Sequence, residues 1–138
     1  MATAFNAHTA NDFLDRSKVY LIVDNLETMR KITIGQLRQL GAEKVLSARD
    51  GGEALRILRS QRVDVIISDW NMPVMTGIEF LRRLRKMTGG ESPRVVFCTT
   101  ENDLAHIQEA LSAGANEYIM KPFDSDIIQT KFQQVGLL

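Results

Sequence analysis

The sequence predicts a doubly wound α/β domain: one five-stranded parallel sheet, in the order 2-1-3-4-5, with helices on both faces. Three observations lead there. Five short β-branched and apolar runs alternate with segments of helical spacing. Residues suited to helix starts and ends fall between them. Strands separated by helices of this length pair in parallel only through right-handed crossovers.

In chain order, residues 1–17 come first, with Asn6, His8, Asn11, Asp12 and Asp15 where a signal peptide would need a continuous apolar stretch. They are expected to form a flexible tail, with a short helical turn around Phe13 and Leu14, ahead of a single domain over 18–138. Val19 to Val23 reads as the first strand, followed by Met29, Ile32, Leu37 and Leu40 at helical spacing, with Gly41 closing that helix. Lys44 to Ala48 is the second strand. Asp50, three residues before Glu53, then caps a helix carrying Ala54, Leu55 and Leu58. The third strand, Val63 to Ser68, precedes a second such cap, Thr76 with Glu79, and a helix with Ile78, Leu81 and Leu84 that Gly89 ends. Arg94 to Thr99 and Tyr118 to Met120 complete the strands. Leu104, Ile107 and Leu111 mark the fourth helix, and Ile127, Ile128, Phe132 and Val135 the fifth. Four of the five strands read as buried on both faces.

The 138 residues are 44% hydrophobic and 25% charged, which suits one domain that buries roughly two-thirds of its unfolded surface without disulfides or metals. Seventeen basic residues balance seventeen acidic ones, so the bulk charge of a nucleic-acid binder is missing and no DNA partner is expected. Cys98 is the only cysteine, and no apolar run approaches the roughly 20 residues that span a bilayer. A cytoplasmic location without membrane insertion follows as the expectation.

The polar residues gather at one end of the sheet. Asp24 and Asn25 follow the first strand, Asp69 ends the third, Thr99 and Thr100 end the fourth, and Lys121 ends the fifth. Ligands of open α/β sheets bind outside the carboxyl ends of the strands where the strand order reverses, here between the first and third strands, so Asp24 and Asp69 are expected to face each other. Two carboxylates beside an amide oxygen are hard ligands of the kind Mg²⁺ shares with a phosphoryl group. Lys121 and Thr99 add an ammonium and a hydroxyl able to meet phosphoryl oxygens. Any one of these residues alone reads as a turn, cap or solvated charge; their conjunction at one sheet edge points to a metal-phosphoryl site.

Val23-Asp24-Asn25 with Thr28-Met29-Arg30, the run Ile67 to Pro73 with Gly77, Thr99-Thr100-Glu101, Ala113-Gly114-Ala115, and Tyr118 leading to Lys121-Pro122-Phe123 resemble the receiver domains of two-component response regulators, in particular the single-domain chemotaxis (CheY) type. The likeness runs from about Lys18 to the end of the chain. It implies a flavodoxin-like (βα)5 fold in which Asp69 accepts a phosphoryl group from the histidine of a sensor kinase. Mg²⁺ would be held by Asp24, Asn25, Asp69 and the backbone carbonyl of Asn71. It also implies that Thr99 and Lys121 bind the phosphoryl oxygens, that Asn71 and Glu101 tune dephosphorylation, and that the Lys121-Pro122 bond is cis. One residue departs from the pattern: the family usually has two consecutive acids after the first strand, and Asn25 takes the place of the second, so the ion should bind more weakly.

The resemblance further implies a switch in which Thr99 moves toward the phosphoryl group and Tyr118 rotates into the space it leaves. The output face would lie on the fourth helix, fifth strand and fifth helix. The expected partners are a sensor histidine kinase, a flagellar motor switch protein or another protein target, and a phosphatase; the chain is expected to be monomeric and not an enzyme beyond its own phosphoryl transfer and dephosphorylation. A phosphate sink and a phosphorylation-independent adaptor are the alternatives, the second favoured by Asn25. Phosphatases of the haloacid-dehalogenase type also use a strand-end Asp, but they need a second Asp two residues on, where this chain has Asn71. The basic run Arg82-Arg83-Arg85-Lys86 reads as a solvated helix face, Gly51-Gly52 as a turn, Cys98 as an inert buried residue, and His8 and His106 as isolated histidines.

Overall fold

The structure is a computed structural model, and it describes residues 14–100 and 105–134. Its elements are β1 (Val19–Val23), α1 (Glu27–Gln39), β2 (Lys44–Ala48), α2 (Gly51–Ser60), β3 (Val65–Asp69), α3 (Gly77–Lys86), β4 (Arg94–Thr99), α4 (Ile107–Ser112), β5 (Glu117–Met120) and α5 (Ser125–Gln134). The sheet is parallel throughout, in the expected order β2-β1-β3-β4-β5.

Alternation along the strands divides the core in two. Tyr20, Ile22, Val65, Ile67, Val96 and Ile119 face one side, where Leu37 of α1 and Ile128 and Phe132 of α5 cover them. Leu21, Val23, Ile66, Val95 and Phe97 face the other, under Leu55 of α2, Phe80, Leu81 and Leu84 of α3, and Ala110 of α4. Burying a large side chain of this kind stabilises by roughly 1.5–3 kcal/mol, and both faces of the inner strands gain it.

Several boundaries and phases differ from the sequence reading, each for a physical reason. Only β1, β3 and β4 are buried on both faces; β2 and β5 are the sheet edges and keep half-exposed positions. The third strand begins at Val65 and takes in Asp69, because Asp64 turns aside to clip the start of β1: its carboxylate accepts the Val19 N–H at 2.7 Å and its N–H donates to the Val19 carbonyl at 2.9 Å. The fifth strand starts one residue early, at Glu117.

Leu14, read as part of a flexible tail, is packed, 2% exposed with its N–H donating to the Leu40 carbonyl at 2.8 Å, whereas Asp15, Arg16 and Ser17 are exposed. In α1 the inward face is Thr33 and Leu37, which leaves Ile32 47% exposed. In α4 and α5, Ala110 and Ile128 take the inward places while Leu111 and Ile127 face out. Leu104, Val135 and residues 1–13 lie outside the described residues.

The predicted caps form. Asp50 accepts the Glu53 N–H at 2.8 Å, and Glu53 answers by accepting the Arg49 N–H at 3.0 Å. Thr76 accepts the Glu79 N–H at 3.3 Å and donates its hydroxyl to the Glu79 carboxylate at 3.1 Å. Gly41, with φ of 104°, ends α1 in a left-handed conformation that few other residues adopt. Among the described residues no helix is long and apolar enough to cross a membrane.

Candidate functional site

The reversal of strand order falls between β1 and β3, and the register there sets the site. Val23 pairs with Ser68, so the next residues on each strand, Asp24 and Asp69, leave the sheet side by side; Asp69 pairs in turn with Cys98, and Thr99 with Met120. The loop after β5 then returns Lys121 across the carboxyl edge, through a cis Lys121-Pro122 bond, as the resemblance implied. The Lys121 Nζ lies 3.0 Å from Asp69 Oδ1 and 3.7 Å from Asp24 Oδ2. One ammonium thus bridges two carboxylates that would otherwise repel.

Each acid is held by further contacts. Asp24 is 6% exposed; its Oδ1 accepts the Leu26 N–H at 2.9 Å, and its backbone carbonyl accepts from the Arg30 guanidinium at 2.7 Å. The backbone N–H of Asn71 bonds to the Asp69 carboxylate. Burial pushes the Asp69 carboxyl above the ordinary 3.8, helped by the charge of Asp24 and opposed by the Lys121 hydrogen bond and charge. Burial works against the Lys121 ammonium too, yet Asp69 and Asp24 outweigh it and hold its pKa above 10.5. The two shifts fit one picture: Lys121 gains from two anions, while Asp69 gains from one cation and stands beside another anion. The site therefore favours an added positive charge.

The remaining sequence-predicted residues take varied positions. Asn25 is exposed beside Asp24, and the Asn71 side chain is exposed as well. Thr99 is buried, with its hydroxyl donating to the Thr100 carbonyl at 3.2 Å rather than to Asp69. Tyr118 is half-buried at the open edge of the sheet, and Glu101 lies outside the described residues. Among the described residues no three His, Cys, Asp or Glu side chains are grouped to hold a metal ion, and Asp24 and Asp69 are the two carboxylates here. The oxygens present, two carboxylates, the Asn25 amide and the Asn71 carbonyl, are nonetheless all hard donors suited to Mg²⁺. Cys98 is buried, and burial pushes its thiol up to about 12, which disfavours the reactive thiolate.

Three features escaped the sequence. Arg85, read with its neighbours as a solvated charge, is half-buried and donates to the carbonyls of Gly90, Pro93 and Gly114 at 2.7–3.2 Å, tying the end of α3 to the loop before β5. Trp70 is buried next to Asp69, edge-on to Phe97 at 5.2 Å and stacked on His106 at 5.7 Å. Lys131 sits over the Tyr118 ring. All three depend on separate elements meeting in the packed fold, which local periodicity does not report.

Comparison with known proteins places this geometry among relatives. A family model described as "Response regulator receiver domain" matches residues 20–133. A chemotaxis protein CheY homolog of Campylobacter jejuni is 40% identical over 116 residues, covering 83% of this chain and 89% of that protein. The chemotaxis protein CheY of Pseudomonas aeruginosa is 40% identical over 115 residues, covering 83% and 93%. Among solved structures, chemotaxis protein CheY4 of Vibrio cholerae superposes with a TM-score of 0.79 at 36% identity, covering 86% of this chain and 98% of that one.

Proposed function

The chain belongs to the response regulator receiver domain family, and on that premise we propose that it is a phosphoacceptor module of two-component chemotaxis signalling, charged on Asp69 by a sensor histidine kinase. An oxygen of the Asp69 carboxylate attacks the phosphorus of a phosphohistidine; the O–P bond forms as the P–N bond breaks, and the imidazole leaves. A bound Mg²⁺ ion, on oxygens of Asp24, Asn25, Asp69 and the Asn71 carbonyl, would supply positive charge to the phosphoryl oxygens.

The chain's own residues do the rest. Lys121, within hydrogen-bonding distance of the acceptor oxygen, keeps its ammonium protonated and passes from the carboxylate to the phosphoryl oxygens. The Asn71 N–H orients the carboxylate. Phosphorylation places about two negative charges at the sheet edge. The Thr99 hydroxyl then exchanges the Thr100 carbonyl for a phosphoryl oxygen, and Tyr118 turns inward behind it. The altered α4-β5-α5 face docks a protein target such as a flagellar motor switch protein. A target that prefers this state must also stabilise the phosphorylated form, since the coupling is reciprocal.

The observation that carries this reading is Lys121 bridging Asp69 and Asp24 at the strand-order reversal. Trp70 is the only tryptophan and adjoins Asp69, so beryllofluoride with Mg²⁺, a phosphoryl mimic, should change its fluorescence. The response should vanish in Asp69→Asn. Asn25 favours one other reading, an adaptor that works without phosphorylation, for which the parent protein would show no response at all.

A further inference from the structure

Lys131, on the last turn of α5, lies over the face of the Tyr118 ring with its Nζ 4.5 Å from the centroid. The same ammonium is 3.7 Å from Glu117 Oε1, in a pair whose side chains are only 25% and 19% exposed. Glu117 Oε1 also accepts the backbone N–H of Tyr118 at 2.9 Å. Ring, cation and carboxylate therefore form one closed cluster that ties β5 to α5 at the open edge of the sheet. A partly desolvated cation over a tyrosine face is attracted by the ring's quadrupole. Glu117 fixes the ammonium in place, so little side-chain freedom remains to be lost when the contact forms.

From this cluster we infer that Lys131 is a positioning residue of the switch, a latch that holds Tyr118 outward in the unphosphorylated protein. The inference rests on the proposed role of Tyr118 in signal output. An inward-turning ring must leave the Lys131 ammonium, so the contact exists in one state of the switch and is lost in the other. An interaction made in only one of two states shifts their ratio by its full strength. For a contact of this kind the shift is about 5-fold, equivalent to ~1 kcal/mol. The latch sets how much phosphorylation is needed before the output face changes.

The test uses the full chain labelled with 3-fluorotyrosine. Its two tyrosines, Tyr20 and Tyr118, give two fluorine resonances, assigned with Tyr118→Phe. Beryllofluoride with Mg²⁺ is titrated while the Tyr118 resonance and the Trp70 fluorescence are followed together. Lys131→Met keeps the apolar stem and removes the charge; its Tyr118 midpoint should fall about 5-fold. Lys131→Arg, which keeps a cation over the ring, should restore the parent midpoint. Glu117→Gln, which loosens the ammonium, should shift the midpoint about 2-fold in the same direction as Lys131→Met. A purely structural ion pair would lower thermal stability in Lys131→Met and leave the midpoint alone. If the parent Tyr118 resonance moves with beryllofluoride but the midpoints of Lys131→Met and Glu117→Gln match the parent, the latch is overturned and the switch stands. If Trp70 responds while the parent Tyr118 resonance stays still, the switch role of Tyr118 is overturned and the latch goes with it.

Discussion

Replacing Asn25 with Asp returns a third carboxylate to the mouth of the site, and the charges already there set the size of the effect. Asp24 and Asp69 contribute two negatives and Lys121 one positive, a formal −1 that Asn25→Asp makes −2. Position 25 is exposed, so the dielectric of water is the appropriate one. Unit charges ~4 Å apart then interact by about 1 kcal/mol, and a divalent ion doubles this to ~2 kcal/mol. Mg²⁺ affinity should rise about 30-fold at low ionic strength and by less in salt, which screens exposed charges. Without the ion the added carboxylate faces Asp24, and stability should drop by ~1 kcal/mol until saturating Mg²⁺ restores it. Titration of Trp70 fluorescence with MgCl2, in parent and variant, reads both affinities. Dissociation constants agreeing within about 2-fold, when ~2 kcal/mol is expected, would show that position 25 does not reach the ion and that the donor set is misassigned.

Three more outcomes follow from the geometry. Val74 is fully exposed at φ of 69°, a left-handed conformation that costs a β-branched residue about 1–2 kcal/mol; Val74→Asn should raise the melting temperature by roughly 3–6 °C in calorimetry. A Cβ at Gly77 would stand 2.8 Å from the Phe97 ring and 3.0 and 3.1 Å from the Trp70 and Asp69 carbonyl oxygens. Gly77→Ala should therefore cost about 1–3 kcal/mol in urea unfolding and blunt the beryllofluoride response by disturbing the loop that follows Asp69. The Asp69 carboxyl titrates higher folded than unfolded, chiefly through burial, so the folded state binds its proton more tightly. Its contribution to stability is greatest below the unfolded value of 3.8 and declines as pH rises through the folded one; the stability-pH curve of Asp69→Asn should lack that decline when compared with the parent.

Much of the fold was legible because alternation of strand and helix, the two caps and the sheet order depend on local pattern and chain connectivity. The failures have a common cause. In α1 the apolar residues lie on more than one face of the helix, and Thr33, not Ile32, packs inward because its phase is set by Leu37 and Leu40 beneath the sheet. Leu111 and Ile127 likewise face outward, because Ala110 and Ile128 hold the inward places of their helices. Leu14 looked like tail because its partner, the Leu40 carbonyl, is remote in sequence.

For the site, Asp24, Asp69 and Lys121 were readable from position alone, since register forces strand-end residues together. The Lys131 contact with Tyr118 and the hydrogen bonds of Arg85 were not, because each joins elements whose approach only the packed structure defines. Thr99 was correctly placed at the edge, but the present partner of its hydroxyl, the Thr100 carbonyl, is a matter of rotamer that no sequence pattern encodes.

In the proposed function the Asp69 side chain carries the phosphoryl group. Incubation with acetyl phosphate and Mg²⁺ followed by borohydride reduction converts an aspartyl phosphate to homoserine, and peptide sequencing by mass spectrometry then locates it. Homoserine at position 69 and nowhere else, dependent on acetyl phosphate, is the expected result. Homoserine at Asp24 or another acid with Asp69 intact, or none anywhere under conditions that label a known receiver domain, would contradict it.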